Sequence, residues 1–533
     1  MLRLTSLRLP IDHGAGALRA AIVKQLAIKP SALKSFTVVK RGRDARKKAK
    51  IFYVYTVDVA VDEEKPLLGK HHANLQPAPD TSYKFVAHAP RVFVRPVVIG
   101  AGPCGLFATL LLAQMGFRPI LVERGKAVRQ RTKDTWAFWR KNILTPESNV
   151  QFGEGGAGTF SDGKLYSQIK DPRHLGRKVL REFVQAGAPE DILIEAHPHI
   201  GTFRLVTMVE SLRATIESLG GEYRFQSKVT DLILKDRAVK GVRLESGEEV
   251  AADHVVMAVG HSARDVFAML LSQGVVIEAK PFSIGFRIEH PQSLIDKAMY
   301  GKSTKELGAA EYRLVHHTGN GRSVYSFCMC PGGTVVAATS EERRVVTNGM
   351  SQYSRNERNA NAGIVVGILP GDYALYGEGP LAGIALQRHW ESQAFALGGE
   401  NYAAPAQRVG DFLENRPSTC LGAVAPSYRP GVLPTDLTFA LPDYAVAAIR
   451  EALPAFGRQI PGFDMEDAVL TGVETRTSSP VRVPRGSDFQ SINTRGLYPG
   501  GEGAGYAGGI LSAGVDGIKL AEAVARAIAG QAA

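Results

Sequence analysis

Long hydrophobic runs are missing from this chain. The longest apolar stretch, Leu106–Met115, contains a threonine and a glutamine and is about half the length that a bilayer crossing needs. The opening MLRLTSLRLPIDHG breaks its apolar pattern at Arg3 and Arg8 and has no signal-peptide core, so a soluble, cytoplasmic protein without a membrane span is expected. Cysteine is scarce. Cys104, Cys328, Cys330 and Cys420 are too few for a disulfide framework and form no CxxC pair, which fits a reducing compartment. The CxxxxC spacing of a paired-cysteine redox motif is also lacking, and this argues against a disulfide reductase. His197, His199, His261, His316 and His317 have no metal-ligand spacing, so no metal is expected. No internal repeat is evident.

Acidic residues are nearly absent from the first fifty positions. There 13 Lys and Arg face only Asp12 and Asp44, a net of +11 within a whole-chain charge of +12, so the remainder is close to neutral. That asymmetry marks a separate basic module open to an anionic partner, or simply a solvated basic hairpin. Total composition is ordinary: 533 residues, 44% hydrophobic and 22% charged, enough for roughly three or four domain-sized units.

One segment is highly informative. Pro96–Gly125, PVVIGAGPCGLFATLLLAQMGFRPILVERG, reads as an apolar strand, a glycine turn, a helix, a second strand and a terminal acid. Gly100, Gly102 and Gly105 fall where a dinucleotide-binding βαβ unit needs a tight turn, a backbone clear of the pyrophosphate and close helix-to-strand contact. Pro103 suits the first helical turn, whose N–H groups lack partners anyway. Glu123 follows Gly100 at about the offset that brings a carboxylate to a ribose hydroxyl. An adenine dinucleotide is therefore expected here.

Elsewhere, Leu18, Ile22 and Leu26 recur at helical spacing, and Ile51, Tyr53, Tyr55, Val57, Val59 and Val61 alternate as one strand face. KRGRDARKKAK between them reads as a basic loop. Two helix-like stretches occupy 171–227. A three-strand meander is then expected from KVTDLIL, AVKGVRLESGEEV and HVVMAVG. The last 37 residues, from Leu497, read as strand, glycine turn and helix. No second GxGxxG follows a strand, since GILPGD at 367–372 lacks the spacing, so a separate NAD(P)H domain is not expected.

VVIGAGPCGLFAT, FGEGGAGTFSDGKL, SFCMCPGG, NERNANAG, ETRTSSPVRV and GLYPGGEGAGYAGGI, in that order, resemble the two-dinucleotide-binding-domain flavoproteins of the glutathione reductase superfamily. More closely, the chain resembles the uncharacterised bacterial FAD-dependent dehydrogenases. The resemblance implies an α/β fold: a Rossmann-like FAD-binding domain of glutathione reductase type, an inserted α+β substrate domain and a small N-terminal α+β domain. The expected boundaries are 1–90 for the N-terminal unit, 91–263 with 471–533 for the FAD-binding unit, and 264–470 for the insert. FAD is the implied cofactor, with NADH or NADPH as a possible electron donor and a small molecule as substrate.

By the same resemblance, Cys104 and Arg124 join Gly100, Gly102, Pro103, Gly105 and Glu123 at the cofactor. Gly501 and Glu502, beside Gly500, sit at its pyrophosphate and ribityl portion, although the superfamily more usually has Gly-Asp here. Gly508, Gly509 and Ile510 begin a helix whose N–H groups point to the flavin and favour negative charge on it. Gly155 and Gly156 lie along the cofactor, with Thr159, Ser161 and Lys164 as donors to phosphate or flavin oxygens, and Gly260 ends a strand beside it. Catalytic candidates are fewer. Cys328 and Cys330 put two sulfurs on one strand face, where a thiolate near a flavin exchanges electrons or attacks substrate, or are simply small buried residues. Arg476 either meets an anionic substrate or the flavin edge, or closes an ion pair with Glu474. Two further readings remain open: an RNA-acting enzyme or binder that uses the basic module with Tyr53 and Tyr55, and a flavoprotein sensor without turnover.

Overall fold

The computed structural model describes residues 1–530 except 49, 70–72 and 302–306. At its centre lie five short parallel strands in the order Leu497–Pro499, Val255–Met257, Val97–Ile99, Ile120–Val122 and Glu222–Arg224. A parallel sheet is covered on both faces, and the strands VVI, ILV and VVM are accordingly apolar and wholly buried. Alternation then divides the strand residues between two layers. Val98, Val256 and Tyr498 face the helices Pro103–Gln114 and Ile510–Ile528. Val97, Ile99, Val255 and Met257 face an antiparallel sheet of Val229–Lys235, Ala238–Leu244 and Glu249–Ala251, together with the helix Arg264–Ser272.

The expected meander is thus present, but its third strand differs. HVVMAVG pairs on both sides within the parallel sheet, and Glu249–Ala251 takes the antiparallel place. An apolar triplet with no polar face is better satisfied between two parallel neighbours than on a half-exposed meander.

The N-terminal unit is a four-stranded sheet, ordered Leu33–Asp44, Phe52–Val61, Leu2–Pro10, Leu75–Pro77, against the helix Ala17–Leu26. Leu18, Ile22 and Leu26 are buried, as are Tyr55, Val57 and Val59. KRGRDARKKAK is only partly a loop. Lys40–Asp44 continue the strand, pairing Arg41 with Tyr55 and Arg43 with Tyr53, because the Arg41 guanidinium lies over the Tyr53 ring at 5.3 Å and pairs with Glu195. This edge also bonds the main chain beyond it, from Ala196 N–H to the Arg41 carbonyl at 2.9 Å.

The largest sheet has eight strands, and a two-stranded pair, Glu278–Ala279 with Val481–Arg482, lies apart from it. Phe282–Pro291 lies between Asn359–Ile368 and Val469–Glu474; outside these come Ser323–Ala337 with Val315–His317 and Thr347–Ser351 on one flank, and Ala404–Arg408 with Val432–Pro434 on the other. The helix Asp443–Gln459 covers it with Ala445, Ile449, Ala452 and Phe456 at helical spacing. Two expected boundaries therefore pass through packed structure. Position 470/471 falls inside the strand Val469–Glu474, which pairs Arg287 with Thr471, and the helix that starts at Arg264 buries Val266, Phe267 and Leu270 against the dinucleotide unit. Among the described residues no helix is long and apolar enough to cross a membrane.

Candidate functional site

Three glycine-rich segments converge at the carboxyl ends of the central strands. In the first, a Cβ on Gly105 would lie 1.9 Å from the Gly100 carbonyl oxygen, so the helix Pro103–Gln114 can start close under its strand only with glycine there. In the second, a Cβ on Gly156 would sit 2.7 Å from the Gly102 Cα, which places Gly155 and Gly156 directly against the turn. In the third, a Cβ on Gly501 would lie 2.9 Å from the Cys104 Cβ. Cys104 is buried there, and burial pushes its thiol pKa well up, so it fills space as an inert side chain. Pro103, Gly155, Gly158, Thr159 and Ile510 share one narrow cleft.

Other glycines at the ends of these strands and turns face nothing. A Cβ on Gly260, Gly508 or Gly509 would meet no atom within 4 Å. Neither the helix after Gly102 nor the helix after Gly509 has a side-chain cap, so first-turn N–H groups of both are left for another acceptor.

Glu123 is buried and binds main chain rather than empty space. Its Oε2 accepts from Ala101 N–H at 2.8 Å, and its Oε1 accepts from Gly125 and Gly153 N–H at 2.9 Å each. Arg124 is engaged with Glu147 and Asp265 and stacks over Phe152 at 4.1 Å. Three expected donors point elsewhere. Thr159 is buried near Arg131; the Ser161 hydroxyl donates to the Gly158 carbonyl at 2.7 Å and accepts from Gly163 N–H; the Lys164 ammonium bonds the Met329 carbonyl and pairs with Asp162 at 3.2 Å. A five-glycine loop leaves its own turns unpaired, and these short side chains close them. Burial works against the Lys164 charge, but Asp162 and Glu311 outweigh it and raise its pKa.

Lys164 thereby faces the eight-stranded sheet. Arg287, fully buried, forms a bidentate pair with Glu474 at 2.5 and 3.0 Å and donates to the Cys328 carbonyl at 2.8 Å and to Asn361 at 3.1 Å. Cys328 is half-buried, Cys330 fully buried, and both thiols are free. The Cys330 thiol, hydrogen-bonding towards Cys328, lowers the Cys328 pKa against burial and with help from Arg287 and Lys164; Cys330 itself is raised. Glu502 lies half-buried at the C-terminal turn without a hydrogen-bond partner among the described residues. Burial pushes its carboxyl up to about 7, with Lys280 opposing. The turn itself is held by Asp516, which accepts from Gly501 N–H at 2.8 Å and is clamped by Arg485. Neither residue is conspicuous in the sequence.

Arg476 occupies a different place from either expectation. It pairs with Glu391 at 2.9 and 3.0 Å, not with Glu474, and its remaining nitrogen bonds Ser340 and Ser262. Glu391 is shared with Arg264 at 2.6 and 3.0 Å, all three being buried. Two guanidiniums around one carboxylate leave Arg476 no free edge for a substrate. Beside them His261 is pushed down to about 3 by burial and by both arginines. Among the described residues no cluster of His, Cys, Asp and Glu could hold a metal ion.

The family model "FAD dependent oxidoreductase" matches residues 164–372, "FAD-dependent protein, C-terminal domain-like" matches 281–477, and a domain of unknown function matches 1–60. An uncharacterized protein of Clostridium beijerinckii is 46% identical over 98% of both chains. Among solved structures, a variant of the E. coli quinol fumarate reductase is 14% identical, with a TM-score of 0.38 over 83% of this chain and 71% of that one. The L-proline dehydrogenase of P. horikoshii is 10% identical, with a TM-score of 0.34 over 84% and 95%.

Proposed function

Because the chain belongs to the FAD-dependent oxidoreductase family, we propose that its three glycine segments hold FAD and that it passes a hydride or electron pair between the flavin and a small molecule. The observation that carries this reading is the open space at Gly260, Gly508 and Gly509 beside two helix N-termini that no side chain caps. Two N-termini with unpaired N–H groups favour anionic groups, here the pyrophosphate at Gly102 and the flavin end at Gly509. FAD supplies the two-electron chemistry when bound.

The chain's own residues then have separable tasks. Glu123 spends three of about four acceptor positions on N–H groups, which fixes the Gly153 segment against the turn and leaves one position for a ribose hydroxyl. Glu502, neutral below about pH 7, holds a proton next to the flavin end of the cradle. Arg287 and Glu474, buried as a pair, hold the strand that carries Cys328, and NADH or NADPH are candidate electron donors.

A small molecule is preferred to RNA because the basic stretch carries no recognised RNA-binding motif, and several of its arginines are held in ion pairs: Arg3 with Asp58, Arg8 and Arg46 with Asp44, Arg41 with Glu195. The test is spectroscopic. Purified protein reconstituted with FAD should show bound flavin absorbance, and anaerobic stopped-flow mixing with NADH or NADPH should bleach it. Failure to retain flavin would reject the cofactor site, whereas retention without reduction by any donor would favour a sensor.

A further inference from the structure

SFCMCPGG lies on the long strand Ser323–Ala337, where regular pairing breaks. Phe327 pairs with Gly363 and Cys330 with Asn361, so three steps on one strand oppose two on its neighbour. Cys328 sits in this bulge at φ +43°, a left-handed conformation that a residue with a Cβ adopts at a cost. In a flat strand the Cα atoms of residues i and i+2 stand about 6.5 Å apart, near the outer limit for a disulfide. The bulge folds the second cysteine back over the first: the Cys330 sulfur lies 3.3 Å from the Cys328 carbonyl oxygen.

The surroundings suit thiol chemistry. Arg287 reaches the Cys328 carbonyl and Lys164 the Met329 carbonyl, so two successive carbonyls between the cysteines each accept from a cation. Cationic neighbours favour thiolate over thiol. The two sulfurs also differ in access. Cys328 is half-buried and Cys330 has no exposure, a division between an attacking and a resolving thiol. The pair is tied to the cradle through Lys164, which belongs to the glycine-rich segment that packs on the first helix, pairs with Asp162 at 3.2 Å and bonds the Met329 carbonyl between the two cysteines.

The geometry points to a redox-active dithiol: we propose that Cys328 and Cys330 exchange an electron pair with the bound flavin, which makes thiols and disulfides the substrate class of this site. The inference rests on the FAD-binding reading above. When the Cys328 thiolate and the Cys330 thiol close one S–S bond they release two electrons and one proton; FAD takes both electrons, that proton and one more from solvent to give FADH2. The reverse reaction reopens the bond. A disulfide substrate exchanges at Cys328 to form a mixed disulfide, which Cys330 resolves, each exchange breaking one S–S bond and forming another.

FAD-loaded protein, oxidised with ferricyanide and freed of oxidant, is titrated anaerobically with dithionite. The wild type should take up two electron pairs per flavin, and Cys328→Ser and Cys330→Ser one pair each. Peptide mapping after alkylation should show Cys328 linked to Cys330 before the titration and both alkylated after it. In Cys330→Ser, bis(2-hydroxyethyl) disulfide should leave a lasting adduct on Cys328. One pair per flavin in the wild type, two pairs in either variant, or a linked peptide whose reduction consumes no extra pair would overturn the dithiol while leaving the FAD site intact. Protein that retains no FAD would overturn both readings.

Discussion

Glu502 is a residue whose ionisation opposes its surroundings. Its folded pKa of about 7 lies above the ordinary carboxylate value, so the folded state holds a proton that the unfolded chain has lost. Stability from this group is therefore fully present below the ordinary carboxylate pKa and declines as pH rises towards 7. Glu502→Gln should remove that decline: melting temperatures of flavin-free wild type and variant should agree near pH 4, with the variant higher above pH 7. A parallel fall in both proteins would show that Glu502 is not the group responsible. At Glu391 the opposite change is expected. Glu391→Ala leaves Arg264 and Arg476 buried without their shared carboxylate, a loss of about 3–5 kcal/mol for a broken buried pair, read from urea denaturation. A change under about 1 kcal/mol would mean that water enters and solvates the arginines.

Elements explain why neighbouring glycines differ so sharply in what they tolerate. Gly105 lies where helix and strand touch, and Gly508 lies where a turn meets open space. Gly105→Ala should prevent the helix Pro103–Gln114 from seating and yield insoluble or unfolded protein. Gly508→Val should fold, with a flavin-free melting temperature within about 1 °C of the wild type, a shift of about 1 kcal/mol or less for a chain of this length melting as one unit. Its branched side chain would stand in the cradle, weakening FAD affinity by at least tenfold, about 1.4 kcal/mol, in a fluorescence titration. Normal affinity in Gly508→Val would move the cofactor away from the C-terminal turn. The glycine fingerprint was legible in the sequence because strand, turn, helix and strand follow one another within thirty residues, and each imposes its own local demand. The end of the basic loop was not, since Lys40–Asp44 remain a strand through partners in another element: Tyr53, Tyr55 and the main chain at Ala196.

Across the whole molecule, the cradle joins residues 100–105, 153–158, 260 and 501–510, so cofactor binding and global stability should be linked. Free FAD at a hundred times its Kd should stabilise the fold by about 2.7 kcal/mol, seen as a melting temperature that climbs with the logarithm of FAD concentration. No climb would place FAD, if bound, on a unit that melts independently.

The sequence by itself determined the dinucleotide unit and the two glycine turns near residues 100 and 500, because these depend on contacts between near neighbours and on residues with few conformational alternatives, while the choice of FAD came from the family resemblance. Tertiary structure alone decided which charges meet. Arg287 and Glu474 are 187 residues apart and Arg264 and Glu391 are 127 apart, and nothing local selects those partners over Glu474 with Arg476, which stand two positions from each other. Strand pairing brings Arg287 to Glu474, and the helix Ala382–Leu397 brings Glu391 to both remaining arginines. Once buried, a guanidinium must find its carboxylate wherever the fold has put one, and the same burial decided that Lys164 faces the cysteines.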